Sequence, residues 1–158
     1  MTSKTNACRI LDQLGIPYEL RAYDVDLDDL SAGRVAEKVG LPLEQVWKTL
    51  VLSCDDKQHV FAVVAGDAEL DLKACARLAG VKACELVALK DVQSITGYVR
   101  GGVTSLAAKK SFPVLVDDIV EVHDVISVSS GQRGLQILLA PADYVRATSA
   151  RLGPIART

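Results

Sequence analysis

Short apolar runs of strand length constrain the fold of this chain more than any other feature of its sequence. The runs are rich in β-branched and aliphatic side chains and are bounded by turn-forming residues, which is typical of β-strands. The last two runs flank residues 131–134 (GQRG), whose glycines suit the positive φ angles of a hairpin turn. The predicted strands are residues 18–23, 46–53, 60–65, 113–116, 125–130 and 135–140, with weaker candidates at 82–87 and 98–103.

Three other segments share a helical pattern, in which apolar residues recur at positions i, i+3, i+4 and i+7. Residues 4–14, 31–39 and 71–79 follow this pattern, and a glycine comes directly after each segment. Pro141 opens a fourth helix, which we expect to run to residue 148. The apolar faces of the first three helices are narrow and made largely of small residues. We therefore expect these helices to lie on the strands rather than to form the core.

The order of these elements predicts the fold class. Strands and helices do not alternate regularly enough for a doubly wound parallel sheet. Many short strands with few helices favour an α+β fold, in which a mixed, barrel-like curled sheet of about six to eight strands is flanked by short helices. A chain of 158 residues without linkers or repeats has the size of one such domain, spanning residues 1–158.

The composition argues against several classes of protein. The longest apolar runs reach about five to seven residues, whereas a membrane-spanning helix needs roughly 20. The N-terminus has no apolar segment of the kind that a signal peptide carries. Eighteen basic and 20 acidic residues give a net charge of −2, without the basic excess of proteins that grip duplex nucleic acid broadly. We therefore expect a cytoplasmic protein with no membrane partner and only local contacts to nucleic acid.

The cysteines and histidines do not form a recognisable metal or disulfide framework. The four cysteines include no CxxC pair, so we expect them to be reduced residues that serve in packing. The two histidines lack the spacing of zinc ligands, so no metal site and no cofactor are expected. These residues are Cys8, Cys54, Cys75, Cys84, His59 and His123.

Lys48 is the most informative single residue. The two-residue period of a strand places it on one face with Leu50 and Leu52. An unpaired buried ammonium costs several kcal/mol, so Lys48 must reach an opening or meet a partner. Two interpretations are open. Lys48 is either an edge lysine that snorkels to water or a cation at the mouth of the barrel, facing an anionic or carbonyl ligand.

Two glycine-rich segments are further candidates for a binding site. Residues 97–104 (GYVRGGVT) and 129–134 (SSGQRG) permit tight turns or the close approach of a ligand, and their amides suit an anion. Ordinary turns are the alternative for both segments. A small basic rim, or else a solvated loop, is formed by Arg100, Lys109, Lys110 and Arg133.

No nucleophile–base motif and no phosphate-binding glycine loop occurs in the sequence. Residue patterns alone therefore predict a compact barrel-like domain with an inward lysine and two glycine-rich loops, but they predict no reaction.

At these motifs the sequence resembles the YbaK/EbsC family of free-standing editing domains, which deacylate mischarged tRNA. The similarity runs almost end to end and includes residues 46–50 (VWKTL), 70–73 (LDLK), 96–102 (TGYVRGG) and 129–135 (SSGQRGL). The branch that it resembles most removes cysteine from tRNA(Pro). In that branch the thiol of the substrate is thought to attack its own ester, which would explain the absence of a protein nucleophile.

The resemblance implies roles for particular residues. Lys48 and Tyr23 would be the catalytic residues: Lys48 would orient the ester and the terminal ribose–phosphate, and Tyr23 would bond the substrate or order the pocket wall. The tRNA contacts would come from the four basic residues named above. The substrate-binding residues implied are Gly101, Gly102, Ser129 and Gln136.

Gln136 departs from some cysteine-editing relatives, which carry an aspartate at this position. The amide keeps hydrogen bonding but lacks the charge that would pair with the substrate ammonium or with Lys48. A deacylase for alanyl- or seryl-tRNA is therefore an alternative within the same family. Two further alternatives are a non-catalytic module that binds tRNA or a synthetase, and a role outside translation. The partners that the resemblance implies are the acceptor end of mischarged tRNA and prolyl-tRNA synthetase.

Overall fold

The computed structural model describes residues 5–55, 58–106 and 112–157, and these ranges contain five α-helices and ten β-strands. The same ranges also contain the 3₁₀ helices Leu43–Gln45 and Asp118–Val122. The helices are α1 (Asn6–Gln13), α2 (Ala32–Val39), α3 (Leu72–Ala79), α4 (Leu89–Thr96) and α5 (Pro141–Thr148). The strands are β1 (Glu19–Ala22), β2 (Trp47–Cys54), β3 (His59–Ala65), β4 (Glu69–Leu70), β5 (Cys84–Leu86), β6 (Val114–Asp117), β7 (Ile126–Ser129), β8 (Leu135–Leu139), β9 (Arg151–Gly153) and β10 (Ala156–Arg157).

The strands of the described residues form three sheets. The central sheet has the order β5-β2-β3-β6-β9, and only its β3–β6 and β6–β9 pairs are parallel. A three-stranded antiparallel sheet has the order β1-β8-β7, and β4 pairs with β10. A parallel bridge between Val46 and Ser127 joins the start of β2 to β7, so the two larger sheets meet along this edge.

Both faces of the central sheet are buried. Phe61 and Val63 of β3 pack in one cluster with Trp47, whereas Ala62 and Val64 pack on the opposite face. A strand covered on both sides must be apolar at every position, and this explains why β3 shows a continuous apolar run without alternation. The sheet thus forms the wall on which the helices and the pocket are built.

The helices lie on these sheets as their narrow apolar faces predict. Ala7 and Leu11 of α1 are fully buried against one face of the central sheet, and Cys75 of α3 is buried against the other. Asp71 accepts a hydrogen bond from the backbone N–H of Ala74 and so caps the first turn of α3. The helices predicted from the sequence, α1, α2, α3 and α5, begin and end within two residues of their predicted bounds.

The α+β class, with mixed sheets and short flanking helices, is confirmed. The strand predicted over residues 98–103 is wrong, because this segment forms turns and loop after Gly97 ends α4 in the left-handed region (φ 84°). A single curled sheet of about six to eight strands was expected, but the strands of the described residues form three sheets. The short strands β4, β9 and β10 were not predicted. Within the described ranges, none of the helices is both long and apolar enough to cross a membrane.

Candidate active site

A cavity of about 530 Å³ opens where the two larger sheets meet. Its floor is the first half of β2, and the start of α2 forms one side. The segment from β5 to α4 and the loop after α4 also line it, and the lining is completed by Ser129 of β7 and Gln136 of β8. The five site residues predicted from the sequence that line this cavity are Lys48, Arg100, Gly101, Ser129 and Gln136.

Lys48 supplies a positive charge to the cavity wall. It lies opposite Val64 in the β2–β3 ladder and is half-buried. No described residue accepts a hydrogen bond from the Lys48 ammonium or forms an ion pair with it. Lys48 therefore reaches an opening, and that opening is a concave pocket rather than an exposed sheet edge.

The charged side chains that line the pocket are all positive. Lys48 and Arg100 are its charged lining residues, and no Asp or Glu occurs among the described residues that line it. A cation without a nearby carboxylate keeps its electrostatic potential for a ligand, and partial burial reduces the screening of that potential by water. The wall thus favours a group that carries or develops negative charge.

The two glycine-rich segments form one wall. A Cβ on Gly102 would lie 3.2 Å from the backbone nitrogen of Arg133, and a Cβ on Gly131 would lie 2.9 Å from the Tyr98 ring. The Nε of Arg133 donates a hydrogen bond of 2.6 Å to the carbonyl oxygen of Arg100. These contacts require small residues at the crossing. The wall places Gly101 on the cavity side, while Gly102 is buried behind it.

Ser129 and Gln136 stand directly opposite each other in the β7–β8 ladder, and both line the cavity. Gln136 is only 5% exposed, and its Oε1 accepts a hydrogen bond of 2.7 Å from the buried Ser127 hydroxyl. The Ser129 Oγ accepts a bond from the N–H of Gly131. The pairing of β7 with β8 therefore fixes a neutral polar patch in the cavity lining.

Tyr23 lies outside the cavity. It follows β1 and lines a small adjoining cleft with charged residues of the 24–38 segment, among them Asp26 and Lys38. The cleft and the cavity share Leu30, Val35 and Gly101 as a common partition. The structure thus brings Lys48, Gly101, Ser129 and Gln136 together but does not bring Tyr23 into the same pocket.

The predicted basic rim is described only in part. Arg100 lines the cavity, and Arg133 is engaged by its bond to the Arg100 carbonyl. Lys109 and Lys110 lie outside the described residues.

A buried hydroxyl cluster beneath the pocket was not anticipated. The Tyr144 hydroxyl of α5 lies 2.7 Å from Ser105 Oγ, and it is near the side chain of Thr49, the neighbour of Lys48 on β2. Burial raises the pKa of the Tyr144 phenol to about 12, so this group is a neutral hydrogen-bonding partner. The three residues are far apart in sequence, and no local pattern links them.

An apolar wall was also missed. Leu86 and Leu89 line the cavity, yet they remain 54% and 62% exposed. The sequence patterns did not predict α4, the helix whose first residue is Leu89. Val92 of α4 is buried at the same wall.

The arrangement can bind and orient a polar substrate, but its described lining has no His, Asp or Glu that could activate one of its hydroxyl groups as a nucleophile. The lining holds a lysine, an arginine, glycine backbone and neutral polar groups. No group of three or more metal-ligating side chains occurs among the residues with described positions. The positive charges and backbone groups of this pocket can stabilise negative charge that develops on a bound substrate.

Comparisons with known proteins identify the family to which the chain belongs. The family model described as "Aminoacyl-tRNA editing domain" matches residues 30–147. An Enterococcus faecalis protein named "Putative Cys-tRNA(Pro)/Cys-tRNA(Cys) deacylase EbsC" is 39% identical over 152 residues, covering 96% of this chain and 93% of that protein.

Two further likenesses agree with this match. The Escherichia coli protein "Multifunctional Ser/Thr-tRNA deacylase ProXp-y" is 29% identical and covers 78% of this chain and 77% of its own length. The solved structure titled "Crystal structure of a putative trans-editing enzyme for prolyl tRNA synthetase" shares the fold with a TM-score of 0.82 at 20% identity, covering 99% of this chain and 100% of that one. The chain therefore belongs to the family of aminoacyl-tRNA editing domains.

Proposed function

We propose that this editing domain is a trans-editing deacylase that removes cysteine from mischarged tRNA(Pro). The observation that carries the proposal is the placement of Lys48 in a pocket whose described lining has no carboxylate. The 39% identity to a relative named for Cys-tRNA deacylation supports the same substrate. Cysteine and proline are close in size, so a synthetase cannot separate them well by binding alone, and a second site must remove the error.

The substrate thiol supplies the nucleophile in this proposal. The cysteinyl sulfur attacks its own ester carbonyl carbon, the ester C–O bond breaks, and the ribose oxygen leaves with a proton as the free hydroxyl of the tRNA. The resulting cyclic thiolactone then opens in water. Intramolecular attack from a well-oriented pose supplies effective molarities of roughly 10⁵–10⁸ M, so the protein needs no nucleophile of its own.

The residues of the pocket hold the ester and stabilise the charge that develops on it. Lys48 holds the ester and the terminal ribose–phosphate through its positive charge, and Arg100 adds to the same potential. The backbone of Gly101 shapes the amino-acid pocket, and Ser129 contacts polar groups of the substrate. Tyr23 acts from the adjoining cleft by ordering the partition that the cleft shares with the cavity.

Gln136 bears on the choice of amino acid. A neutral amide held by Ser127 offers hydrogen bonds to the substrate but no charge for its α-ammonium. A second candidate function is therefore the removal of alanine or serine. The relative named for Ser/Thr-tRNA deacylation favours this class of activity, although it is less similar than the relative named for cysteine.

The partners follow from the same chemistry. The substrate is the acceptor end of mischarged tRNA, contacted by Arg100, Arg133, Lys109 and Lys110. With a net charge of −2 the chain lacks a broad basic surface, so a synthetase for proline would supply additional affinity. The site of action is the cytoplasm, where aminoacylation takes place.

The test compares deacylation of Cys-tRNA(Pro), Ala-tRNA(Pro) and Ser-tRNA(Pro) by the wild-type chain. We expect loss of cysteine alone, with release of the thiolactone before free cysteine. Preferential loss of alanine or serine would retain a deacylase but refute the thiol mechanism. Binding of all three substrates without turnover would refute the enzyme and favour a binding module.

The variant Gln136→Asp tests the role of this position in selectivity. A carboxylate at this position of the cavity lining should attract the substrate ammonium and change the ratio of cysteine to serine deacylation. Ser53→Asp, on β2 of the central sheet and outside the cavity, is the control for an added charge. An unchanged ratio in Gln136→Asp would show that this position has only a structural role.

A further inference from the structure

Two cysteines face each other at the end of the central sheet that lies away from Lys48. Cys54 is the last residue of β2, and Cys84 is the first residue of β5. They are direct partners in the antiparallel β2–β5 ladder, and their sulfur atoms lie 2.9 Å apart as free thiols. The proposed deacylase mechanism uses neither residue.

The hydrogen bonding of the ladder places this pair at the position where side chains come closest. The backbone N–H of Cys54 donates to Gln58, away from β5, and the N–H of Val87 donates to the carbonyl of Val51. Since the two kinds of pair alternate along the ladder, Cys54 and Cys84 form a non-hydrogen-bonded pair. Opposed Cα atoms in such pairs are roughly 4.5 Å apart, a separation that a disulfide spans.

The backbone around Cys84 is held in place for this approach. Both carboxylate oxygens of Asp55, the residue after Cys54, accept hydrogen bonds from the chain that leads into β5. The donors are the N–H groups of Lys82 and Ala83, at 2.5 and 3.1 Å. A disulfide between Cys54 and Cys84 would therefore need only side-chain rotation.

The two thiols differ in access. Cys54 is buried, whereas Cys84 is half-buried and so open to a small reagent. Burial, together with the bond to Cys84, raises the pKa of the Cys54 thiol to about 12. An oxidant therefore reaches Cys84 first. Cys75 of α3 is fully buried in the same apolar cluster, so it is a neighbour but not an accessible thiol.

We propose that Cys54 and Cys84 form a reversible cross-strand disulfide when the protein meets a peroxide. The Cys84 sulfur is oxidised by hydrogen peroxide to a sulfenic acid, with release of one water. The Cys54 sulfur then attacks the Cys84 sulfur, the S–S bond forms, and the sulfenic oxygen leaves as a second water with the Cys54 proton. A thiol reductant restores both thiols.

The bond would act on the pocket wall through β5. This strand has three residues, lies at the edge of the central sheet and is largely exposed, all of which favour local opening. Its last residue is Leu86, and Val87 follows it; both line the cavity. A covalent link at Cys84 would hold this wall against β2 and reduce its fluctuations.

The test treats the wild-type chain with hydrogen peroxide, blocks the remaining thiols with N-ethylmaleimide after unfolding, and measures the mass. Four adducts are expected in the reduced protein and two after peroxide, since the chain has four cysteines. Non-reducing peptide mapping should join the peptides that contain Cys54 and Cys84. Closing a loop of this length should raise Tm by about 5–10 °C.

Two variants make the result specific. Cys84→Ser removes a half-buried thiol, should fold, and should retain all its adducts after peroxide. Cys75→Ala, the matched control from the same cluster, should still form the link. Hydrogen exchange should slow over residues 84–89 in the oxidised wild-type protein. Four adducts after peroxide, a link that uses Cys75, or unchanged exchange over 84–89 would overturn the proposal. None of these readouts depends on deacylase activity.

Discussion

At the scale of single residues, contacts between distant parts of the chain determine how the pocket is supported. The Tyr144 hydroxyl joins α5 to Ser105 near Thr49 of β2, and the Tyr144 side chain is fully buried. No sequence pattern contains these three residues together. Lys48, by contrast, was predicted from the sequence, because a charged residue within an apolar strand is a local anomaly.

Tyr144→Phe removes this hydroxyl while keeping the ring. Ser105 then loses a buried hydrogen-bond partner, so the free energy of unfolding should fall by about 1–2 kcal/mol. Tyr18→Phe is the matched control, because the Tyr18 hydroxyl bonds Asp12 at an exposed site and should matter less. Urea unfolding of both variants measures the difference. An equal loss of unfolding free energy in both variants would show that the Tyr144 hydroxyl stabilises the protein no more than the exposed Tyr18 hydroxyl does.

Asp117 is a buried carboxyl at the end of β6, and its Oδ1 accepts hydrogen bonds from the N–H groups of Ile155 and Ala156. Burial raises the pKa of Asp117, and its backbone hydrogen bonds, with Ile155, Ala156 and Asp118, oppose this shift without cancelling it. The native state therefore binds the Asp117 proton more tightly than the unfolded chain does. This contribution to stability is complete below the unfolded pKa and is lost as pH rises through the folded pKa.

Asp117→Asn should flatten that pH dependence, because the amide keeps the Oδ1 acceptor but does not ionise. Asp117→Ala should cost about 1–3 kcal/mol at low pH, since both backbone donors lose their partner, and this cost should shrink as pH rises. Urea unfolding from pH 4 to pH 8 compares the three proteins. A slope in Asp117→Asn as steep as in the wild type would show that another group titrates.

At the scale of secondary-structure elements, regular patterns were predictable and irregular ones were not. The caps and faces of α2 and α3 follow local rules, and both helices were predicted close to their bounds. α4 was missed, because its N-cap residue, Ala88, makes no side-chain capping bond. Residues 98–103 read as a strand because they are apolar, but glycines turn the backbone there.

The crossing of the two glycine-rich loops is the feature of this scale that bears on function. Gly131 has φ +94°, and a Cβ there would lie 2.9 Å from the Tyr98 ring. Gly131→Ala should therefore lower the free energy of unfolding by about 1–3 kcal/mol through backbone strain and collision.

Gly33→Ala is the matched control for that substitution. Gly33 lies inside α2 without a positive φ, and the nearest atom to an added Cβ is 3.9 Å away. This variant should be more stable than the wild type by about 0.5–1 kcal/mol. Urea unfolding measures both variants. A Gly131→Ala protein as stable as the wild type would contradict the account of the crossing loops.

At the scale of the whole molecule, the sequence predicted the class of fold but not the arrangement of its sheets. Strand-length runs and narrow helices indicate an α+β domain. The order β5-β2-β3-β6-β9, however, depends on pairings between strands far apart in sequence. The same limit applies to the site: Lys48 and the glycine loops were predictable as candidates, whereas their convergence on one cavity required the fold.

The central claim is that the positive charge of Lys48 in this cavity is required to deacylate the substrate. Lys48→Met keeps most of the side-chain volume and removes the charge. Lys73→Met, at an exposed position of α3 outside the cavity, is the matched control. Single-turnover rates on Cys-tRNA(Pro) should fall about 100-fold in Lys48→Met. The rate of Lys73→Met should be unchanged. A Lys48→Met protein that folds and deacylates at the wild-type rate would contradict the account.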